Sequence, residues 1–531
     1  MSTSVVAARP PAQPTAILRG HRAQVHAAVF MRLDRTAAAG ATMTADTRLV
    51  TGDSDGYVAL WDLAIVRTRG VWRAHNNSIL GIAAWDDAGQ VVTHGRDHRL
   101  VVWQVGVADE ARLSTLLPLD QEASSTPSSA ASSASHPQPW MVHVLDVNTM
   151  NFCAFAWCGL LGSVAAVTAA TAATTHATVA SMPSTDKQLT PTSTPPTERL
   201  VAVPNTLTLE AADIYHLPSQ RRINTVRLGT KEGMIMALAL FYAPVTDTEA
   251  TDDSQPTLVL IAAFENGVAV AALLRQGADG PADIVYRAQP HSQPILSLDV
   301  APDRSYFLTS AADAVVAKHP IRVPATPKKA AAVPASTLPS ASPASPPAPP
   351  TSAGKPVSLL SAALSKAAAV ASPSSVSNAT PTRGAATPLA PVEVETQPLA
   401  VINTKHAGQQ GLRIRDDGRL FATAGWDARV RVYTAQTMKE VAVLKWHQTG
   451  CFAVAFAPVV VADTQREGED EGKSKGEDEK ALAPTGSSTA LASQSSRRDA
   501  SVKARRLRQA VTAHWLAVGS KDGKVSLWDI F

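Results

Sequence analysis

Two stretches at opposite ends of the chain are near copies of each other. Leu49–Leu63 reads LVTGDSDGYVALWDL and Leu516–Ile530 reads LAVGSKDGKVSLWDI. Each runs as an apolar strand, a Gly/Asp turn, an alternating strand and a closing Trp-Asp. A recurring unit this small cannot bury an apolar face alone, so it is stable only when packed against further copies. Two more copies lie between them, Val91–Gln104 (VVTHGRDHRLVVWQ) and Leu420–Tyr433 (LFATAGWDARVRVY). In all four an Asp stands six residues before the closing aromatic: Asp55/Trp61, Asp97/Trp103, Asp427/Tyr433 and Asp522/Trp528. An Asp-Gly-type turn joins two strands there, and the period-2 alternation of a strand sets which face the aromatic takes.

Each copy is preceded by a histidine: Gly20-His21, Ala74-His75, Lys405-His406 and Trp446-His447. This pattern resembles the WD40-repeat family, whose signature runs from Gly-His to Trp-Asp. The resemblance implies a hydrogen-bonded set of His, strand hydroxyl, turn Asp and Trp within one blade. Carried onto this sequence, the sets are His21, Thr51, Asp55 and Trp61, and His75, Thr93, Asp97 and Trp103. A further unit offers His406, Thr423 and Asp427 with Tyr433 in place of Trp. The last offers His447, Asp522 and Trp528, with Val518 where the hydroxyl belongs, so that set is expected to be incomplete. A degenerate copy over Tyr286–Ile321 places His291, Thr309 and Asp313 at matching offsets, with His319 at the aromatic position.

A His, an Asp and a hydroxyl together also suggest a hydrolase triad. A set that recurs around a ring reads instead as a structural device that satisfies buried polar groups. Apolar runs over Trp140–Leu217 and Ile223–Leu274 bring the count to about seven units. The expected fold is all-β, a seven-bladed WD40 β-propeller spanning 14–531 behind a disordered arm over 1–13. The last unit has only Ile530 and Phe531 after Trp528-Asp529, whereas Thr15–Arg19 (TAILR) stands ahead of the first Gly-His. That N-terminal strand is expected to complete the final blade, which removes the open edges of a sheet.

Five tracts interrupt the units near 112–138, 164–198, 246–256, 323–398 and 463–508. Their dense Ser, Pro, Ala or charge cannot bury enough area to offset chain entropy, and they are expected to be disordered. The last combines an acidic run, Arg466–Lys480, with a basic one, Arg497–Arg508. The basic run reads either as an import signal or as a solvated loop, and no interleaved aromatics support stacking on single-stranded nucleic acid. The net charge of +3 adds no argument for nucleic-acid binding.

Three cysteines, Cys153, Cys158 and Cys451, make no disulfide framework or zinc-spaced pairs, and read as reduced thiols. The N-terminus lacks the apolar core of a signal peptide. The uncharged stretch from Ala154 to Met182 is too rich in Ala and Thr for a membrane span. No phosphate-cradling glycine loop, HExxH or nucleophile motif is present, so neither cofactor nor metal is expected and the chain reads as a non-enzyme. Candidate rim contacts are the turn residues Arg96, His98, Trp426 and Arg429. An aromatic such as Trp426 anchors an interface or packs on a neighbouring blade, and the sequence leaves both open.

Blades such as GDSDGYVALWDL, THGRDHRLVVWQ and VGSKDGKVSLWDIF are similar to the fungal ASTRA-associated protein 1 family. The similarity covers the first two and last two blades well, the middle three poorly and the insertions not at all. It implies a nuclear scaffold subunit of a complex linked to chromatin remodelling and to maturation of phosphatidylinositol-3-kinase-like kinases. The implied partners are AAA+ helicases, Tel2/Tti-type proteins and a large kinase-like subunit, with no nucleic acid and no membrane. A ubiquitin-ligase substrate receptor and a G-protein-beta-like adaptor are the competing expectations.

Overall fold

The structure is a computed structural model that describes residues 12–34, 45–115, 137–147, 152–160, 198–244, 257–274, 278, 280–323, 394–459, 502 and 505–530. Residues 1–11 and most of the five expected insertions lie outside this set. Among the described residues, twenty-eight strands form seven four-stranded antiparallel sheets.

A short strand, β1 (Ala16–Leu18), opens the chain. Blade 1 is β2 (Val25–Asp34), β3 (Ala45–Asp53), β4 (Tyr57–Asp62) and β5 (Arg67–Arg73). Blade 2 is β6 (Ile79–Trp85), β7 (Gln90–Gly95), β8 (Arg99–Gln104) and β9 (Trp140–Asp146). Blade 3 is β10 (Ala156–Gly159), β11 (Arg199–Pro204), β12 (Ala211–Leu217) and β13 (Arg221–Arg227). Blade 4 is β14 (Ile235–Tyr242), β15 (Leu258–Phe264), β16 (Ala269–Leu274) and β17 (Ala282–Ala288). Blade 5 is β18 (Ile295–Val300), β19 (Tyr306–Ala311), β20 (Val315–Pro320) and β21 (Ala400–Asn403). Blade 6 is β22 (Gln409–Ile414), β23 (Leu420–Gly425), β24 (Val430–Thr434) and β25 (Glu440–Leu444). Blade 7 is β26 (Cys451–Phe456), β27 (Trp515–Ser520) and β28 (Val525–Asp529). The expected closure is present: β1 pairs antiparallel with β28, Ala16 opposite Leu527 and Leu18 opposite Val525. The expected seven-bladed propeller is therefore the fold. The sequence units and the blades are offset by one strand, which is why the run at Trp140 closes blade 2 rather than opening a unit of its own.

Each of seven apolar clusters is shared by two neighbouring blades. Val50, Leu60 and Trp72 of blade 1 meet Ile79, Val91 and Trp103 of blade 2. Leu18, Ala517 and Leu527 of the closing blade meet Leu49 and Trp61 of blade 1. Burying a Leu or Val contributes about 1.5–3 kcal/mol, and every blade depends on both neighbours for that term. In blade 4 every residue of Leu258–Phe264 and Ala269–Leu274 is buried, so its two middle strands are apolar on both faces. Blades 2 and 3 are clasped by Arg199. Its guanidinium lies 4.5 Å from the Trp85 ring centroid and 5.3 Å from that of Trp157, and pairs with Asp87 at 2.5 Å.

Within each blade the strands alternate in direction from the axis outward, here called a to d, so the connections sort onto two faces. The b–c turns hydrogen-bond the d–a connections: Ser54 N–H to Gln24 O, Arg96 N–H to Ser78 O, Trp426 N–H to Gly408 O. The a–b and c–d connections meet on the other face, as in Val105 N–H to Gly89 O and Ile530 N–H to His514 O. Every internal stretch of ten or more residues outside the described set follows a strand a or c: beyond Asp34, Thr115, Leu160, Pro244, Val323 and Val459. The face of the b–c turns carries only short connections.

The described margins of three tracts belong to the fold. Ser114 bridges Val71, Glu395 bridges Tyr286, and residues 505–512 are helical.

Candidate functional site

Blade 2 holds the complete polar set that its sequence implies. His75 Nδ1 lies 2.8 Å from Asp97 Oδ1, and His75 Nε2 lies 2.8 Å from Thr93 Oγ1. Trp103 Nε1–H donates to the same hydroxyl at 2.9 Å. The proton order follows. The carboxylate can only accept, so Nδ1 carries hydrogen and Nε2 accepts from the threonine O–H, whose oxygen is then open to the indole. His98, the next residue, sits in the left-handed region at φ 64 and closes the turn.

Blade 1 repeats this with one correction. His21 Nε2 and Trp61 Nε1 meet Thr51 Oγ1, each at 2.8 Å, but His21 Nδ1 bonds Asp53 at 2.7 Å, not the expected Asp55. Asp53 ends β3, where blade 2 has Gly95, and its other oxygen accepts from the N–H groups of Asp55 and Tyr57. The carboxylate thus reaches the histidine from the strand end and ties the turn as well.

Blade 5 extends the device. His291 Nε2 lies 2.8 Å from Thr309 Oγ1 and Nδ1 lies 3.2 Å from Asp313. His319 Nε2 stands in for the indole at 2.8 Å from Thr309, while Tyr286 meets its Nδ1 at 2.7 Å. The tyrosine O–H donates to Nδ1 and so keeps hydrogen on Nε2, the tautomer that mimics a tryptophan N–H.

Blades 6 and 7 depart from expectation. In blade 6, His406 stays part-exposed, 3.8 Å from Asp427, and is not joined to Thr423. The buried Arg431 takes that carboxylate at 2.6 Å instead. Arg431 faces Thr423 across the strands, where the other sets have the smaller Ala59, Val101 and Ala317. A Cβ on Gly95 would meet the His75 ring, whereas one on the equivalent Gly425 would meet the Asp427 carboxylate, with the Arg431 guanidinium beyond it at 3.5 Å. The long side chain has displaced the histidine. Tyr433 stacks on Phe421 with centroids 4.8 Å apart.

In blade 7 the hydroxyl that Val518 cannot provide comes from its cross-strand partner Ser526, 2.8 Å from both His447 Nε2 and Trp528 Nε1. Asp522 turns to Ser520 and Lys524 rather than to His447. Ser526→Ala orphans two buried groups, each worth about 1–3 kcal/mol, and is expected to lower stability by about 2–6 kcal/mol in urea titration. An unshifted midpoint would remove Ser526 from the set.

Burial also sets a pH dependence. It holds the imidazoles of His94 and His319 down to about 3 and that of His447 to about 4, against an ordinary 6.5. Below about pH 6.5 the unfolded chain therefore takes up protons that the folded chain refuses. These groups leave stability intact above that value and erode it as pH falls toward 4. Each is expected to remove on the order of 1–2 kcal/mol between pH 7 and pH 5. The urea midpoint should drop over that interval, and a flat profile would contradict the burial of these rings.

The repeated hydroxyls of Thr51, Thr93 and Thr309 are fully buried, so no substrate reaches them. Among the described residues no group of three or more His, Cys, Asp or Glu is placed to hold a metal ion, and no helix is long and apolar enough to cross a membrane. None of the three cysteines is in a disulfide, and burial pushes the Cys158 and Cys451 thiols up to about 12.

The groups open to a ligand lie instead around a central cavity of about 690 Å³, lined by the innermost strands. Of the candidate rim residues, Arg96 and Trp426 line it, while His98 and Arg429 do not. Arg96 lies 4.7 Å over the Phe152 ring, and Trp426 Nε1–H donates to Gln410 at 2.7 Å. Sequence reasoning missed His26 and Phe452, because an innermost strand shows no sign in its sequence of which residues face the axis, and Phe152, which lies in the connection ahead of β10.

The family model described as ASTRA-associated protein 1 matches residues 14–528, nearly the whole chain. The chain belongs to the ASTRA-associated protein 1 family. It is 44% identical over 545 residues to the ASTRA-associated protein 1 of Pyricularia oryzae, covering 98% of each chain. It is 35% identical to that of Aspergillus niger, again over 98% of each. The likeness to the Schizosaccharomyces pombe protein of the same name is 26%, over 84% of this chain and 93% of that one. Family membership thus spans the middle blades and the insertions, where the sequence motifs alone carried little resemblance.

Proposed function

We propose that the protein is a non-catalytic subunit of an ASTRA assembly and that it binds its partners through the face of the b–c turns. The observation that carries this reading is the full-length match to proteins named for association with ASTRA. The polar sets support the non-catalytic part, since they recur from blade to blade and keep their hydroxyls buried. The insertions leave from the opposite face, and the short connections offer a firm docking surface. On this reading the protein works in the nucleus, alongside AAA+ helicases, Tel2/Tti-type proteins and a large kinase-like subunit. Its contribution to chromatin remodelling and kinase maturation is to hold subunits together.

The test is affinity purification of the tagged protein from nuclear extract, followed by a salt wash and mass spectrometry. Recovery of that set of subunits is the expected result. Recovery of cullin adaptors or G-protein gamma subunits in their place would move the protein to a ligase receptor or a signalling adaptor.

A further inference from the structure

Among the described residues thirty line the central cavity, and the ionisable ones are His26, Arg96 and Arg413, with no carboxylate among them. Arg96 makes no ion pair among the described residues, and its guanidinium is backed by the Phe152 ring. Phe152 is 67% exposed and Trp426 is 50% exposed. Large aromatic side chains left open to water beside a cavity mark an interaction site. Trp426 is held by its bond to Gln410, and the nearby His26 ring lies flat on Phe452 at 5.4 Å. The cavity is therefore a concave, part-aromatic mouth within the size range of ligand sites, and Arg96 is its unpaired cation among the described residues.

We propose that this mouth takes an acidic segment of a protein partner, with a carboxylate on Arg96 and an apolar side chain beside Trp426 and Phe452. The charge pattern selects the occupant. A planar guanidinium matches a carboxylate in two parallel hydrogen bonds, and among the described residues no lining carboxylate answers the Arg96 charge. The chain's own acidic run, 466–480, is the less suitable occupant, since the connection that carries it leaves the blade at Val459 and rejoins it at Trp515, both on the opposite face. This inference rests on the adaptor reading and adds the chemistry of the partner.

The test is fluorescence anisotropy of the full chain with a labelled peptide of alternating glutamate and phenylalanine. A glutamine/phenylalanine peptide of equal length and a labelled oligothymidylate serve as comparison probes. The acidic peptide is expected to bind at least tenfold more tightly than the glutamine peptide. Arg96→Gln and Trp426→Ala are each expected to weaken it fivefold or more, with melting temperatures unchanged. Lys439→Gln, an exposed lysine on the opposite face, should have no effect. Equal binding of the glutamine peptide, or indifference to Arg96→Gln and Trp426→Ala, overturns the proposal. Tighter, Arg96-dependent binding of the oligothymidylate overturns it in favour of nucleic acid. Absence of peptide binding by a protein that still recovers its assembly would remove the mouth and leave the adaptor reading standing. Failure to recover the assembly would remove that reading itself.

Discussion

Deletion of residues 14–19 is expected to open the ring and leave no soluble, cooperatively folding protein. β1 is the outer strand of the last blade, and only the N-terminal segment supplies it. Its loss removes the ladder to Ser526 and Leu527, the Thr15 N–H bond to Leu527 O, and the buried Leu18. A net hydrogen bond is worth about 0.5–1.5 kcal/mol and a buried Leu about 2–5 kcal/mol. The sum, on the order of 4–8 kcal/mol, takes most of the 5–15 kcal/mol that holds an ordinary domain together. It also exposes β28 as an unpaired edge, a template for aggregation. Leu18→Asp, which leaves the chain length alone, should act in the same direction. Size-exclusion chromatography with circular dichroism reads both, and a monomeric, fully folded deletion variant would show that β1 does not close the ring.

Asp53→Ala is expected to destabilise the protein by about 2–4 kcal/mol, whereas Asp55→Ala should stay within about 0.5 kcal/mol. Asp53 is buried and accepts from His21, Asp55 and Tyr57, so its truncation leaves three donors without a partner. Asp55 is exposed at the turn, and surface substitutions away from such networks are usually within about ±0.5 kcal/mol. Chemical denaturation of the two variants side by side separates the structural arrangement from the simple repeat offset. A larger effect at Asp55 would restore the position that spacing alone suggests.

That pair shows where the sequence was legible and where it stopped. The number of blades, the N-terminal closure and the polar sets of blades 2 and 5 follow from recurring offsets, because period and turn geometry are written locally. The carboxylate in blade 1 is different. Asp53 and Asp55 lie two residues apart, and only the strand end decides which reaches His21. Ser526 was missed because the motif looks for a hydroxyl on one strand, while cross-strand partners place their side chains in the same space. Arg431 was missed for a related reason, since displacement of His406 depends on the volume of a residue on the neighbouring strand. The mouth of the cavity was the least legible part: its aromatic and basic groups come from blades far apart in sequence, and no short motif joins them.

Hydrogen-exchange mass spectrometry of the protein, alone and within its purified assembly, tests the central claim most directly. Protection is expected over 52–57, 94–98, 406–411, 424–429 and 448–452, the b–c turns and d–a connections around the mouth. Segments 62–66, 86–89, 416–419 and 434–439 on the opposite face should exchange unchanged. Protection confined to that opposite face, with the mouth as open as in the free protein, would contradict the account.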